Sequence, residues 1–355
     1  MRKGGTVLYK VIGVLSLIVF TLIIVIYKLN FFPRSRQKAK LVCNTDRTWE
    51  GTPLKILSWN VQYFAGKNYV FFYDKLDGSG PDLRPSSKDI EQTLDEIANV
   101  IVSEDPDIVL LQEVDEGAKR TDHQNQTELL LQRLHDRYPC FAEAFYWKSK
   151  FVPHPKVMGS AGMKLVTLSK YQIHSAMRER LTQIPKDFIS QAFDLKRAIL
   201  EVMLPQKNGT AVRILNTHLD AFAQGTDTME KQVHHVKQVL DREEVSAVIG
   251  GDFNLLSSKK AFHSLSQEEQ SYYNPDSEIK ELVEAYPSIP SLKDMESDPE
   301  KWFTHFPNGS RSSKPDRTID YLFYKKMKVS ESYVLQKEAI QWSDHFPVVG
   351  IFDVE

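Results

Sequence analysis

Hydrophobic and polar positions follow three patterns along this chain. Near its start, residues 11–27 read VIGVLSLIVFTLIIVIY, without a charge or a proline. With Val7, Leu8 and Tyr9 ahead of it, the segment approaches the roughly 20 residues a helix needs to cross a bilayer. Its apolar residues run all round rather than along one stripe, which argues against a helix on a soluble core. Further on, short apolar runs predict strands at residues 54–59, 108–111, 166–169, 198–204, 212–216, 247–249 and 321–324. Between them a helical period appears. Ile90, Leu94, Ile97 and Ile101 mark one face, with Ser86 or Ser87 as N-cap and Pro106 as terminator. Residues 128–134 and 277–284 also read as helical, and Val233, Val236, Val239 and Leu240 mark another face. Strands and helices mix without strict alternation, which predicts an α/β fold of two packed sheets with helices outside.

The predicted organisation is a basic tail (1–7), a transmembrane anchor (8–27), a polar juxtamembrane linker (28–52) and one catalytic domain (53–355). Bulky residues follow the apolar run (Tyr27-Lys28-Leu29-Asn30-Phe31-Phe32), with no small-x-small cleavage site, so an anchor is expected rather than a signal peptide. Arg2, Lys3 and Lys10 precede the span; Lys28, Arg34, Arg36, Lys38 and Lys40 follow it, so charge leaves the side of the domain open. The 45 basic and 47 acidic residues give a net charge of −2, without the basic excess usual in a protein that lives on nucleic acid. Two cysteines, Cys43 and Cys140, supply neither a zinc set nor a disulfide framework, and read more readily as unpaired thiols than as a bridge.

The chemistry is concentrated where apolar runs end. The central signature is Val248-Ile249-Gly250-Gly251-Asp252-Phe253-Asn254. Upstream lie Leu57-Ser58-Trp59-Asn60, Leu110-Leu111-Gln112-Glu113 and Leu215-Asn216-Thr217-His218-Leu219; downstream lie Thr318-Ile319-Asp320-Tyr321-Leu322 and Ser343-Asp344-His345-Phe346-Pro347. Each puts an acid, amide or imidazole at or beside a strand end, which suits phosphoester cleavage at one rim of a sheet. Such cleavage needs the phosphate neutralised, a water aligned and deprotonated, and the leaving oxygen stabilised. Abundant carboxylates without a Cys/His cluster favour Mg²⁺, or Mn²⁺ in its place, over zinc. His345, with an ordinary pKa near 6.5, suits proton abstraction.

This ordered set resembles the endonuclease/exonuclease/phosphatase superfamily, which includes DNase I-like nucleases, abasic-site endonucleases, inositol polyphosphate phosphatases and neutral sphingomyelinases. The resemblance covers residues 54–354 and implies a four-layered, DNase I-like α/β sandwich with its site at one rim. It implies Glu113 as principal metal ligand, Asn60 helping to hold metal or phosphate, and Asp344 as a further metal-side acid. Asp252 would orient the nucleophile or assist the leaving group, with Asn254 bonding phosphate or that aspartate. Asp320 would orient His345, the candidate general base, and His218 would bond a phosphate oxygen. Asn216 and Arg197 are expected beside substrate.

The resemblance fixes the reaction class better than the substrate. A membrane tether favours a phospholipid or sphingomyelin-type headgroup, as does the Thr217-His218-Leu219 motif; a membrane-anchored endonuclease acting on nucleic acid is the alternative. A non-catalytic binding module on the same fold is disfavoured because Glu113, Asp252 and His345 are all present. Two segments border the expected site: the aromatic stretch Tyr69-Val70-Phe71-Phe72-Tyr73, read as either a buried strand or an exposed mouth, and a loop over residues 220–228. Nothing in the sequence calls for a protein partner.

Overall fold

The computed structural model describes residues 3–51, 53–221, 223–309 and 312–354, with side chains from residue 9 onward. Met1 and Arg2 of the basic tail, the side chains of Lys3, Val7 and Leu8, and Phe222 of the 220–228 loop lie outside the described residues.

Among the described residues, two mixed seven-stranded sheets face each other. The first runs β1 (Arg36–Lys38), β7 (Ser175–Arg180), β8 (Ala198–Pro205), β9 (Ala211–His218), β10 (Ala247–Asp252), β12 (Asp320–Lys325) and β11 (Ser288–Ile289) from edge to edge. The second runs β13 (Met327–Val334), β14 (Val348–Val354), β3 (Leu54–Asn60), β4 (Ile108–Asp115), β6 (Gly159–Ser169), β5 (Cys140–Val152) and β2 (Lys40–Cys43). Helices cover the outer faces. α2 (Ser87–Glu104), capped by the Ser86 hydroxyl accepting from Asp89 N–H, lays Ile90, Leu94, Ile97 and Ile101 on the second sheet together with α3 (Gln126–Arg133). α5 (Thr228–Asp241) buries Val233, Val236, Val239 and Leu240 against the first. The layers are therefore the predicted four.

Strand direction places the site. The pairs β3–β4 and β9–β10 are parallel, sit centrally in their sheets and lie against one another across the sandwich. Their carboxyl ends, carrying Asn60, Glu113, His218 and Asp252, gather at one rim. β12 and β14 run antiparallel to these pairs, so their starts arrive at the same rim with Asp320 and the Ser343–Phe346 segment. The sheets meet closely because Gly250 has no side chain: a Cβ there would stand 2.8 Å from Leu110 and 3.3 Å from Ser58 of the facing sheet.

α1 (Lys3–Leu29) contains a 21-residue apolar stretch, Tyr9–Leu29, about 31 Å long at 1.5 Å per residue. The segment expected to be a linker differs from that expectation, because it is built into the domain. Asn30 bridges to Ser149, Phe31 N–H donates to the Lys148 carbonyl at 3.2 Å, β1 pairs with β7, and β2 pairs with β5. Trp49 is fully buried in the main core. The thiol expectation is corrected as well. Cys43 and Cys140 stand directly opposite in the β2–β5 ladder, Cα atoms 4.0 Å apart, and are joined as a disulfide. Neither residue's spacing in the sequence signals that pairing, since β2 itself was not legible there.

Candidate active site

Glu113 reaches the rim through an irregularity. The register between β4 and β6 shifts between Leu111 and Val114, and Glu113 takes a φ of +60°, rare for a residue with a side chain. A bulge of this kind re-aims one side chain out of the ladder. Asn60 Nδ2 then lies 3.3 Å from Glu113 Oε1 and 3.0 Å from Asp252 Oδ2, bridging the two carboxylates.

Asp252 is the centre. It is in register with His218 on one side and Asp320 on the other, so three site residues share one row across three strands. Its Oδ2 stands 3.4 Å from His218 Nε2 and 3.6 Å from His345 Nε2. The preceding Gly251 has a φ of +152°, and a Cβ there would collide with the Thr217 carbonyl at 1.9 Å. Asn254 turns back with a φ of +52°; its N–H donates to Asp252 Oδ1 at 2.9 Å, and its side-chain amide donates to the Leu219 carbonyl at 3.3 Å.

His345 lies just before β14 and is fixed by neighbours on β3. The Trp59 indole donates to the His345 carbonyl at 2.9 Å, while Ser343 Oγ donates to the Asn60 carbonyl and accepts from His345 N–H. The ring's Nδ1 donates to Asp320 Oδ2 at 2.9 Å, leaving Nε2 toward Asp252. Asp344 accepts from Asn308 Nδ2 at 3.3 Å.

The electrostatics divide the two histidines. Burial, then the positive charges of Arg197 and His345, hold His218 well below the ordinary imidazole value, so it is neutral. Burial acts the same way on His345, but Asp320 and Asp252 outweigh it and hold that ring well above the ordinary value. Burial pushes Asp252 up to about 7 against the pull of His345, and raises Glu113 against the pull of Arg120.

Several expected roles shift on inspection. Asn216 is fully buried and does not border the cleft: its amide nitrogen donates to the carbonyls of Leu111 (3.0 Å) and Val166 (2.9 Å), and its oxygen accepts from Gln112 Nε2 at 2.8 Å. It is a polar strut between the sheets. Asn60 turns its nitrogen to the carboxylates, while its oxygen accepts from Gln62 N–H at 3.0 Å. Arg197 does border the cleft, paired with Asp220 at 3.1 Å, and Asp220 is further held by Gln232. The aromatic stretch is not a strand. Phe71 is buried, whereas Phe72 and Tyr73 line the cleft and Phe72 stacks on His154 at 5.2 Å.

Three contributors were missed. Tyr146 places its hydroxyl 3.3 Å from His218 Nδ1, Arg120 lies 3.6 Å over the Tyr63 ring while holding Asp115, and His305 sets its ring edge to face 4.7 Å from that of His345. None ends an apolar run followed by a turn, the signal that found the others. Arg120 and His305, with Glu113, His218, Asp252, Asp344 and His345, border a cleft of about 750 Å³. One end is the acid–imidazole rim; the other wall is apolar, with Trp147, Val152, Ile184, Ile189 and Phe193.

Known proteins share this framework. A solved endonuclease/exonuclease/phosphatase from Beutenbergia cavernae superposes with a TM-score of 0.56 at 21% identity, covering 85% of this chain and 72% of that one. A family member from Leptotrichia buccalis gives 0.52 at 17% identity over 84% and 98% of the two chains. The human Nocturnin catalytic domain, solved with a bound sulfate anion, gives 0.50 at 19% identity over 88% and 97%. Among curated sequences, a UPF0294 protein of Erwinia tasmaniensis is 24% identical over 162 residues, 45% of this chain and 48% of that protein, so the chain spans about half the length of that relative. The model of the endonuclease/exonuclease/phosphatase family matches residues 57–345, from within β3 through the His345 segment, and the chain belongs to that family.

Proposed function

We propose that the protein is a membrane-tethered, divalent-metal-dependent phosphodiesterase acting on a phospholipid or sphingomyelin-type substrate. The observation that carries this reading is the crowding of Glu113, Asp252, Asp320 and Asp344 around His218 and His345 at one end of a cleft whose opposite wall is apolar. Burial raises both Glu113 and Asp252, the mark of carboxylates gathered without enough compensating charge. Hard oxygen donors of this kind fit Mg²⁺, with Mn²⁺ as a substitute. Glu113 and Asp344 would hold the ion, and Asn60 would keep Glu113 in place. When bound, the ion neutralises phosphate charge and favours ionisation of water.

The protein's own groups supply the rest. Tyr146 donating to Nδ1 leaves neutral His218 an Nε2–H to offer a phosphate oxygen. Asp320 fixes the His345 tautomer, so Nε2 is the atom that takes or gives a proton. With Asp252 near 7 and 3.6 Å away, the pair can hold one proton between them close to working pH. The Tyr9–Leu29 stretch serves as a single-pass anchor in this reading, and the Cys43–Cys140 bridge supports a domain on the oxidising face of the membrane.

A membrane-anchored endonuclease is the second reading, favoured by the aromatic rings of Phe72 and Tyr73 on the cleft wall, a residue type that bases pack against. Against it, the cleft arginines are each matched by an acid: Arg120 by Asp115, Arg197 by Asp220, and Arg317 by Glu269. That leaves little unpaired positive charge to track a polyanionic backbone. The test is the full-length protein in mild detergent with Mg²⁺, offered sphingomyelin and phosphatidylcholine vesicles and, in parallel, supercoiled plasmid. Headgroup release with intact plasmid supports the lipid reading. Nicked plasmid with untouched lipid overturns it.

A further inference from the structure

We infer that α4 (Phe188–Phe193) and the turn between β5 and β6 form a bilayer-seated mouth, through which the cleft takes its lipid without the lipid leaving the membrane. The inference rests on the lipid reading above and adds where the substrate enters and what the entrance touches.

Three observations converge. The first is that the anchor is clamped, not hinged. Besides the Asn30 and Phe31 contacts, Ser149 Oγ donates to the Leu29 carbonyl at 3.4 Å, and Phe32 stacks on Tyr27 at 5.1 Å. The exit of α1 therefore fixes which side of the domain faces the bilayer. Both β5 and α4 touch α1.

The second is an apolar path on that side. Phe188 is 62% exposed and Ile189 57%, large values for residues of this size, and Ile189 also borders the cleft with Phe193. At the β5–β6 turn Phe151 is 37% exposed and Met158 50%, beside Val152, Pro153 and Val157 on the cleft wall. Apolar surface thus continues from the cleft to the outside next to the span. Contiguous apolar surface of this kind marks an interaction site.

The third is charge. Arg34, Lys148 and Lys150 are exposed on the segments that flank this surface. Basic residues beside an interfacial apolar patch are drawn to anionic headgroups. The occupant that meets all three conditions is the leaflet α1 enters, rather than a second protein. A lipid seated there would keep its chains along Trp147, Ile184, Ile189 and Phe193 and carry its phosphate toward Asp252.

The full-length protein tests this in vesicles. Cys43 and Cys140 are bonded to each other, so Phe188→Cys gives a unique thiol for an environment-sensitive fluorophore. The expected result is quenching of that label by lipids brominated on their acyl chains. Emission as in water, without quenching, overturns the inference. In parallel, the Phe151→Ser/Phe188→Ser double variant alters exposed residues that do not border the cleft. Its turnover of vesicle lipid should fall roughly tenfold or more, from lost interfacial burial, while its hydrolysis of water-soluble bis(4-nitrophenyl) phosphate stays at the wild-type rate. Unchanged turnover of vesicle lipid overturns the feeding role. Wild-type protein that hydrolyses the soluble ester but no lipid instead refutes the substrate reading, and the label then decides the seat by itself.

Discussion

Replacing Asn216 by leucine separates a strut from a substrate contact. The side chains are close in size, so the change removes hydrogen bonds more than volume. Three bonds are lost, those to Leu111, Val166 and Gln112, and all cross from one sheet to the other. At about 1 kcal/mol net each, and more where a buried partner is left unpaired, the loss comes to about 3–5 kcal/mol. A domain of roughly 300 residues unfolds with about 0.6 kcal/mol per kelvin of entropy, so each kcal/mol lowers Tm by about 1.5 °C. The expected fall is therefore about 5–8 °C. Thermal melts of the full-length protein followed by circular dichroism measure it. Steady-state kinetics on bis(4-nitrophenyl) phosphate, taken well below the transition, should give a KM within about twofold of wild type, since no ground-state contact is removed. An unchanged melt with a KM raised tenfold would refute the reasoning and return Asn216 to the substrate.

Three further outcomes are expected. Excess EDTA should abolish phosphodiester hydrolysis, with Mg²⁺ or Mn²⁺ restoring it, and Glu113→Gln should raise the half-saturating Mg²⁺ concentration about tenfold or more; an unaltered metal titration would remove Glu113 as ligand. Glu179 is opposed by burial, but Arg242 and His235 outweigh it and hold the carboxyl at about 2, below its ordinary 4.5. A depressed carboxyl adds stability above its unfolded value, lost as pH falls through the folded one. The Tm deficit of Glu179→Gln should therefore be full at pH 7 and narrow from pH 4.5 toward 2, whereas a constant deficit would show that charge is not the cause. Finally, reduction of Cys43–Cys140, which spans 97 residues of sequence, should cost about 2–5 kcal/mol of stability, read as a lower Tm with reductant and absent in Cys43→Ser.

What could be read beforehand was governed by burial. Strands buried on both faces, such as β4 and β10, are unbroken apolar runs in the sequence, and their ends announced Glu113 and Asp252. The same reasoning failed at the margins. β1 reads Arg36-Gln37-Lys38 and β7 reads Ser175-Ala176-Met177-Arg178-Glu179-Arg180, because strands there carry charges that pair laterally, as Glu179 does with Arg36 at 3.6 Å. β5 mixes aromatics with lysines, so its Tyr146 went unseen although it steers His218. In the sequence Asn216 has the same strand-end position as the residues at the rim. Only the facing sheet, which no sequence pattern displays, shows its amide pointing inward. His305 comes from a loop and Arg120 from a single 3-10 turn (Lys119–Thr121), both too short for either period to mark them.

The docked passage from α1 into the domain has a consequence for handling the protein. β1 and β2 are the outermost strands at their ends of the two sheets, and Trp49, bridged to Gln206, fills part of the main core. A truncation beginning at Leu54 would look natural from the sequence, yet it would strip both strands, the indole and half of the disulfide. The unpaired backbone of β7 and of the long β5 would then face solvent as a template for strand addition by another molecule, the usual route to edge-to-edge aggregation. A shortened form that keeps all seven strands of each sheet therefore starts at Asn30, directly after the apolar stretch of α1.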